Sequence, residues 1–220
     1  MRLARNFIYD PSLVLYLPLY KLDGSSFMDR SAYGHLCTVT GALWTPRGRN
    51  FDNVDDFISC GNPTQLQISG TTPFTMIVWF NADTLGGGNT LLAKDEGLGA
   101  VNKWWLHYRD ATNGLAFHIN SPANEGFYFN STFVPSSSTW YQVALTRTGN
   151  DWTFYVDAIS RNTLSSSQVM RDANANFEIG RFQGGSFWDG LIGKVWVYKN
   201  KALTPIEIQH NYLMSKRTLA

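Results

Sequence analysis

The chain has 220 residues, of which 44% are apolar, 16% charged and 15% aromatic, with a formal net charge of +1. So much apolar surface and so little charge exclude a disordered polypeptide, and near-neutrality leaves no electrostatic reason to bind nucleic acid or an anionic membrane. No apolar run reaches the roughly 18 residues of a spanning helix, so membrane insertion is not expected.

Arg2 and Arg5 precede the apolar Ser12-Leu13-Val14-Leu15-Tyr16-Leu17, an order that a secretory signal peptide shares. Asp10-Pro11 breaks that transition, and Pro18-Leu19-Tyr20-Lys21 offers no small-residue cleavage site. Residues 12–19 therefore read as a first strand, with no signal peptide. A polar stretch from Asp23 to Gly34 follows, then short strands at 36–39, 43–46 and 56–60, with turns at Gly41, Gly48 and Asp52-Asn53-Val54-Asp55. Residues 74–81 are the most apolar run. Phe74, Met76, Val78 and Phe80 face one way, Ile77 and Trp79 the other, which places this strand mid-sheet with something packed on each face.

After Gly86-Gly87-Gly88, strands at 90–94, 103–108, 114–120 and 126–130 form a meander. Residues 139–147 and 152–157 form a hairpin turning at Gly149-Asn150-Asp151. Its first arm sets Tyr141, Val143 and Leu145 against Trp140, Gln142, Ala144 and Thr146 on the opposite face. Strands at 175–181 and 187–198 close the series. Thr204-Pro205-Ile206-Glu207 carries a capping hydroxyl, a proline at the first helical position and a capping-box glutamate, with Ile206, His210 and Leu213 at helical spacing. No internal repeat or dividing linker appears. The expectation is one domain over residues 1–220, with its core at about 12–212: an all-β, two-sheet antiparallel β-sandwich with one short C-terminal helix. Cys37 and Cys60 fit either a disulfide or two buried thiols.

Several pieces occur in a recognisable order. They are Asp29-Arg30-Ser31-Ala32-Tyr33-Gly34-His35, Phe51-Asp52-Asn53-Val54-Asp55-Asp56-Phe57 and Phe74-Thr75-Met76-Ile77-Val78-Trp79-Phe80. Trp140-Tyr141-Gln142-Val143-Ala144, Tyr155-Val156-Asp157, Gly190-Leu191-Ile192-Gly193-Lys194-Val195 and Ala202-Leu203-Thr204 follow. From about Ser12 to Tyr212 the chain resembles laminin-G-like domains of the concanavalin A-like lectin/glucanase superfamily. The resemblance implies a jelly-roll sandwich whose members include carbohydrate-binding modules, adhesion and surface-recognition domains, glycoside hydrolases and polysaccharide lyases. It also implies a candidate Ca²⁺ corner at the Asp-x-Ser turn, here Asp29, Ser31 and Gly34. The acid often found nearby on the closing strand is replaced by Gly193-Lys194. An Asx turn that caps its own backbone is the plainer reading of Asp29-Arg30-Ser31.

The residues offer little catalytic machinery. Retaining glycosidases set two carboxylates about 5–5.5 Å apart, and none of Glu96, Glu125, Glu178 and Glu207 has a carboxylate at i+2 or i+4. Lyases of this fold use Arg, Gln or His, and Tyr on alternating strand positions. His118 with Asn120, and Arg147 or Tyr108 nearby, is a faint echo of that set.

The aromatics carry the binding expectation. Trp79, Trp140 and Tyr155 are most simply core. In Trp104-Trp105 and Phe127-Tyr128-Phe129 neighbours point to opposite faces, so one member of each must leave the inter-sheet core. The ligand-binding candidates are Trp104, Trp105, Tyr108, Asn120, Tyr128 and Trp188, with Asn102, Asn124 and Asn130 as hydroxyl partners. The expected function is a non-catalytic recognition domain for a glycan, acting at an extracellular, virion or cell surface. The alternatives are a structural or adhesive surface protein, self-associating or holding a surface-protein partner through these aromatics, and a divergent hydrolase or lyase.

Overall fold

A computed structural model describes residues 10–86, 89–97, 102–120, 127–182 and 185–217. Residues 1–9, which the signal-peptide question concerns, lie outside it, as do Gly87, Gly88, Asn124, Glu125 and Gly126. The strands are β1 (Leu13–Pro18), β2 (Ser26–Met28), β3 (Leu36–Thr40), β4 (Leu43–Thr45), β5 (Gly48–Asp52) and β6 (Phe57–Ser59). Next come β7 (Phe74–Ala82), β8 (Thr90–Asp95), β9 (Lys103–Asp110), β10 (Gly114–Asn120), β11 (Phe127–Asn130) and β12 (Trp140–Thr148). The series ends with β13 (Asp151–Val156), β14 (Ile159–Ser165), β15 (Phe177–Ile179), β16 (Arg181–Phe182), β17 (Ser186–Phe187), β18 (Asp189–Lys199) and the helix α1 (Pro205–Lys216).

Two antiparallel sheets result. The first runs β14-β13-β12-β7-β18-β5-β4, with β1 also on β18; the second runs β11-β10-β9-β8-β15-β6-β3-β2. The eleven-residue β18 pairs with β5 through its first half and with β1 through its second. Its register against β7 slips between Ile192 and Lys194, so Gly193 sits at the irregularity where one partner replaces the other. The two-residue turn Asp157-Ala158, both at positive φ, joins β13 to β14 in the mirror-image conformation that suits hairpin twist.

The two-sided reading of β7 holds. Phe74, Met76, Val78 and Phe80 enter the inter-sheet core with Val143 and Leu145 of β12. Ile77 and Trp79 join Ala144, Tyr155 and Trp196 on the outer face, under Leu203 and Ile208. Trp79 stacks on Tyr212 at 5.4 Å, and its Nε1 donates to Ser215 Oγ at 2.7 Å.

The capping box at Thr204 and Glu207 forms as expected. The packed stripe of α1 is different. Ile208 and Ser215 are buried, whereas Ile206, Leu213 and Met214 are exposed. The backbone of Leu203 donates to Thr75 Oγ1 and fixes where the helix begins. From that start the i, i+4, i+7 stripe of Ile208, Tyr212 and Ser215 meets Trp79. Strands β2, β5 and β14 were not expected. Each is an edge strand or polar, so its pairing comes from neighbours rather than from its own apolar pattern.

Cys37 and Cys60 are buried as thiols, with Sγ atoms 2.9 Å apart. Arg49 is also buried, and its guanidinium donates to the carbonyls of Ala42, Asp23 and Gly24.

Candidate functional site

Alternation along β9 and β10 decides which side chains leave the core. Trp104, Leu106 and Tyr108 point between the sheets with Leu115, Phe117 and Ile119. Trp105, His107 and His118 are therefore carried on the other face of the second sheet. The ladder sets Tyr128 opposite His118, His118 opposite Trp105, Trp105 opposite Ala93, and Ala93 opposite Glu178. One row of side chains thus crosses five strands. Trp105 lies flat on the His118 imidazole, centroids 3.8 Å apart and planes 16° apart, and Tyr128 meets the same ring edge-on at 3.9 Å. Phe182, from the short β16–β17 ribbon, leans on Trp105 at 4.4 Å. Arg109 covers the Tyr128 ring at 4.1 Å.

Trp105 and Tyr128 are half-buried and remain reachable, while His107 and His118 are buried beside them at 4% and 5% exposure. The His107 nitrogens and Nδ1 of His118 make no well-formed hydrogen bond, and the Tyr108 backbone gives His107 only a weak contact. Asp95, across the ladder from Lys103, is in the same condition at Oδ2, although its Oδ1 accepts from the Gly97 backbone. Burial pushes His107 down to about 4, and Arg109 adds to the effect. Burial, with the charges of His107, Lys103 and Arg109, pushes His118 down to about 3. Both imidazoles are therefore neutral at physiological pH. Asp95 moves the other way: burial raises its carboxyl above the usual range, and Glu178 adds to that. Arg181 forks onto Glu178 with two 2.8 Å bonds and lies over the Phe57 ring at 3.4 Å.

Three of the expected ligand contacts are corrected. Trp104, Tyr108 and Trp188, at 1%, 3% and 0% exposure, are inter-sheet core. Trp104 packs on Phe117 and Phe177, and Trp188 meets Phe80 edge-on. The sequence could show that one of each neighbouring pair must leave the core, but not which one. Phe129 is core and Phe127 packs against it, so Trp105 and Tyr128 are the members that leave. The Asn120 backbone pairs with Lys103, and Asn130 accepts from Arg109 at 3.3 Å. Asn102 is half-buried and its Oδ1 has no partner. His107, Lys103, Arg109 and Phe182 were not anticipated. The first three share the parity of Trp105, a signal that the sequence carried.

Arg147 does not approach His118. It belongs to β12, donates to the carbonyls of Gly149 and Gly70, and lies over Trp152. The structure instead supplies Arg109 and Tyr128 beside His118.

A laminin-G-type sequence family of the concanavalin A-like lectin/glucanases superfamily matches residues 52–209. The chain belongs to this superfamily. No curated protein matches. Among solved structures, it is similar to domain 4 of AbnA, a GH43 extracellular arabinanase from Geobacillus stearothermophilus, in complex with arabinotriose. The TM-score is 0.70 at 16% identity, covering 90% of this chain and 97% of that one. A Trypanosoma rangeli sialidase gives 0.67 at 23% identity over 95% of this chain, which spans 34% of the sialidase. The binding domain of Paraclostridial Mosquitocidal Protein 1 gives 0.67 at 14% identity, covering 93% of this chain and 52% of that one. At these identities the likeness establishes the fold.

At the laminin-G turn, Asp29 is buried and gathers main-chain donors. Its Oδ1 accepts from Ser31 at 2.6 Å and Tyr16 at 3.3 Å, and Oδ2 accepts from His35. Ser31 Oγ donates to the Val14 carbonyl, and Gly34 takes φ +60° in the same turn. The Asx-turn role is thus the one observed. Lys194 turns away from this corner to donate to the Ser215 carbonyl at 2.6 Å, at the C-terminal end of α1 where a cation suits the helix dipole.

A cleft of about 910 Å³ lies on the first sheet beside α1, walled by the stacked Tyr16 and Trp196 rings on one side and by Ile206, His210 and Met214 on the other. At one end Lys201 bridges Asp10 and Glu207 at 3.1 and 3.0 Å.

Proposed function

We propose that this sandwich is a non-catalytic carbohydrate-recognition domain that binds glycan on the outer face of its second sheet, at an extracellular, virion or cell surface. The carrying observation is the Trp105–His118–Tyr128 row, with half-buried aromatic rings packed against an imidazole whose Nδ1 lacks a partner. Aromatic faces hold the C–H side of a sugar ring, and the buried polar atoms provide the few fixed contacts that orient a ligand. The arabinotriose complex of the similar arabinanase domain supports the ligand class. Affinity electrophoresis or calorimetry with immobilised and soluble polysaccharides tests the reading. Trp105→Ala and Tyr128→Ala are each expected to weaken binding about two- to twelvefold, as stacking contacts worth about 0.5–1.5 kcal/mol imply. Unchanged binding in both variants would refute it.

Two observations favour other readings. Arg109, His118 and Tyr128 together supply the residue types of a divergent polysaccharide lyase. A general base works best with a pKa near the operating pH, and burial holds His118 far below that range at about 3. Release of unsaturated product from a uronate polymer, abolished by His118→Ala, would establish the lyase instead. The exposed stripe Ile206, Leu213 and Met214 on α1 favours a structural or adhesive surface protein that self-associates there. A stable oligomer in light scattering that dissociates with Ile206→Lys and Met214→Lys supports that reading, and a monomer at every concentration removes it.

A further inference from the structure

Two of the three cations on the outer face of the second sheet are already ion-paired. Lys103 stands across the ladder from Asp95 and its charge steadies that carboxylate. Arg109 Nε is 3.6 Å from Asp110 Oδ2, and Arg181 is held by both oxygens of Glu178. Arg109 and Arg181 thus each have a carboxylate of their own, and a ligand carboxylate or sulfate would have to displace it before it gained their charge.

The unfilled positions have a different character. They are both nitrogens of His107, Nδ1 of His118 and Oδ2 of Asp95. A neutral imidazole presents one donor and one acceptor, and a carboxylate oxygen only accepts. An anion, which also only accepts, would complete the donors and leave the acceptors bare. A hydroxyl both donates and accepts, so a run of hydroxyls completes every one of these atoms. Burial supports this assignment, because it keeps both imidazoles in the neutral form that has the mixed pattern.

We propose that the face bounded by Trp105 and Tyr128 is selective for uncharged saccharides, with His107 and His118 reading ligand hydroxyls. The proposal deepens the glycan reading above and rests on it. Ligand rings stack on Trp105 and Tyr128, and their hydroxyls take the imidazole nitrogens and Asp95 Oδ2. Selectivity then comes from the penalty of leaving buried polar groups unpaired rather than from an added charge.

The test uses the full chain on an array of neutral arabino-, xylo-, gluco- and galacto-oligosaccharides beside galacturonate, sialylated and sulfated oligosaccharides. Calorimetry then follows on the neutral oligosaccharide retained most strongly. Neutral ligands are expected to bind at least tenfold more tightly than acidic ligands of equal length. His107→Phe and His118→Phe should each lower affinity at least tenfold, and His107→Gln, which restores a donor and an acceptor, should recover part of it. Because the His107 nitrogens and Nδ1 of His118 make no well-formed hydrogen bond in the free protein, Tm should hold or rise in the Phe variants, which separates lost recognition from lost folding. Tighter binding of the acidic set, or unchanged affinity in both Phe variants, overturns the selectivity while leaving glycan recognition standing. Binding to neither set overturns both.

Discussion

Oxidation of Cys37 and Cys60 is expected to bridge them and to raise stability substantially. Cys37 lies on β3 and Cys60 directly follows β6, and the ladder sets Thr38 opposite Ser59, so the two strands are neighbours. The thiols already face one another with Sγ atoms 2.9 Å apart, 23 positions apart in sequence. Removing two thiol hydrogens and two electrons, taken up by oxidised glutathione as it becomes two reduced molecules, forms the bridge between these neighbouring strands. A closed loop of that length withdraws about 3 kcal/mol of conformational entropy from the unfolded chain. For a chain of this size that corresponds to a rise in Tm of roughly 6–12 °C. Burial pushes the Cys60 thiol well above its ordinary range, with the neighbouring Cys37 adding to the effect. Thiolate is therefore scarce, and bridging in the folded protein should be slow. The assay is calorimetry of protein refolded with oxidised glutathione, with and without subsequent reduction, alongside intact mass after alkylation. The reasoning is refuted if both thiols remain alkylatable after oxidative refolding, or if bridged and reduced forms melt together.

Gly180→Ala should destabilise by about 1–3 kcal/mol through overpacking. The glycine takes φ +84°, and a Cβ there would lie 2.3 Å from the buried Phe51 ring, so a lowered urea midpoint with unchanged slope is expected. Stability should also fall as pH drops from about 6.5 towards 4. Below its ordinary value of 6.5 the unfolded chain protonates His107, while the folded protein refuses that proton until about 4, so the stabilisation present at neutral pH is lost across this window. The loss is on the order of 3 kcal/mol from His107, in a setting that includes Arg109, Asp110 and the His118 imidazole. His107→Phe should flatten the profile measured by urea unfolding; an unchanged slope would show that the imidazole protonates freely. Calcium and its chelation should leave Tm unshifted, since both Asp29 oxygens accept main-chain hydrogens. A calcium-dependent rise in Tm that persists when Asp52 and Asp56, the other clustered acids, are changed to Asn would refute that assignment.

Much of the architecture was legible because strand alternation is a local property of the chain. The two faces of β7 and of β12 follow directly from their residues, and each went to a different core. The capping box at Thr204 was equally local. The phase of α1 was not, because the stripe that packs is selected by Trp79 and by the anchor at Thr75, more than a hundred residues earlier.

The site divides in the same way. Sequence alone determined that Trp104 and Trp105 must part company, and that His107 and Arg109 travel with Trp105, since parity is fixed by the pleat. Only the tertiary structure decided that the Trp105 side faces outward, that Trp188 closes the core against Phe80, that Tyr128 meets the His118 imidazole edge-on, and that Phe182 leans on Trp105. Which face is buried depends on the surface that packs against it, and which charges cancel depends on ladder neighbours far apart in the chain. Neither is written in any short stretch of residues.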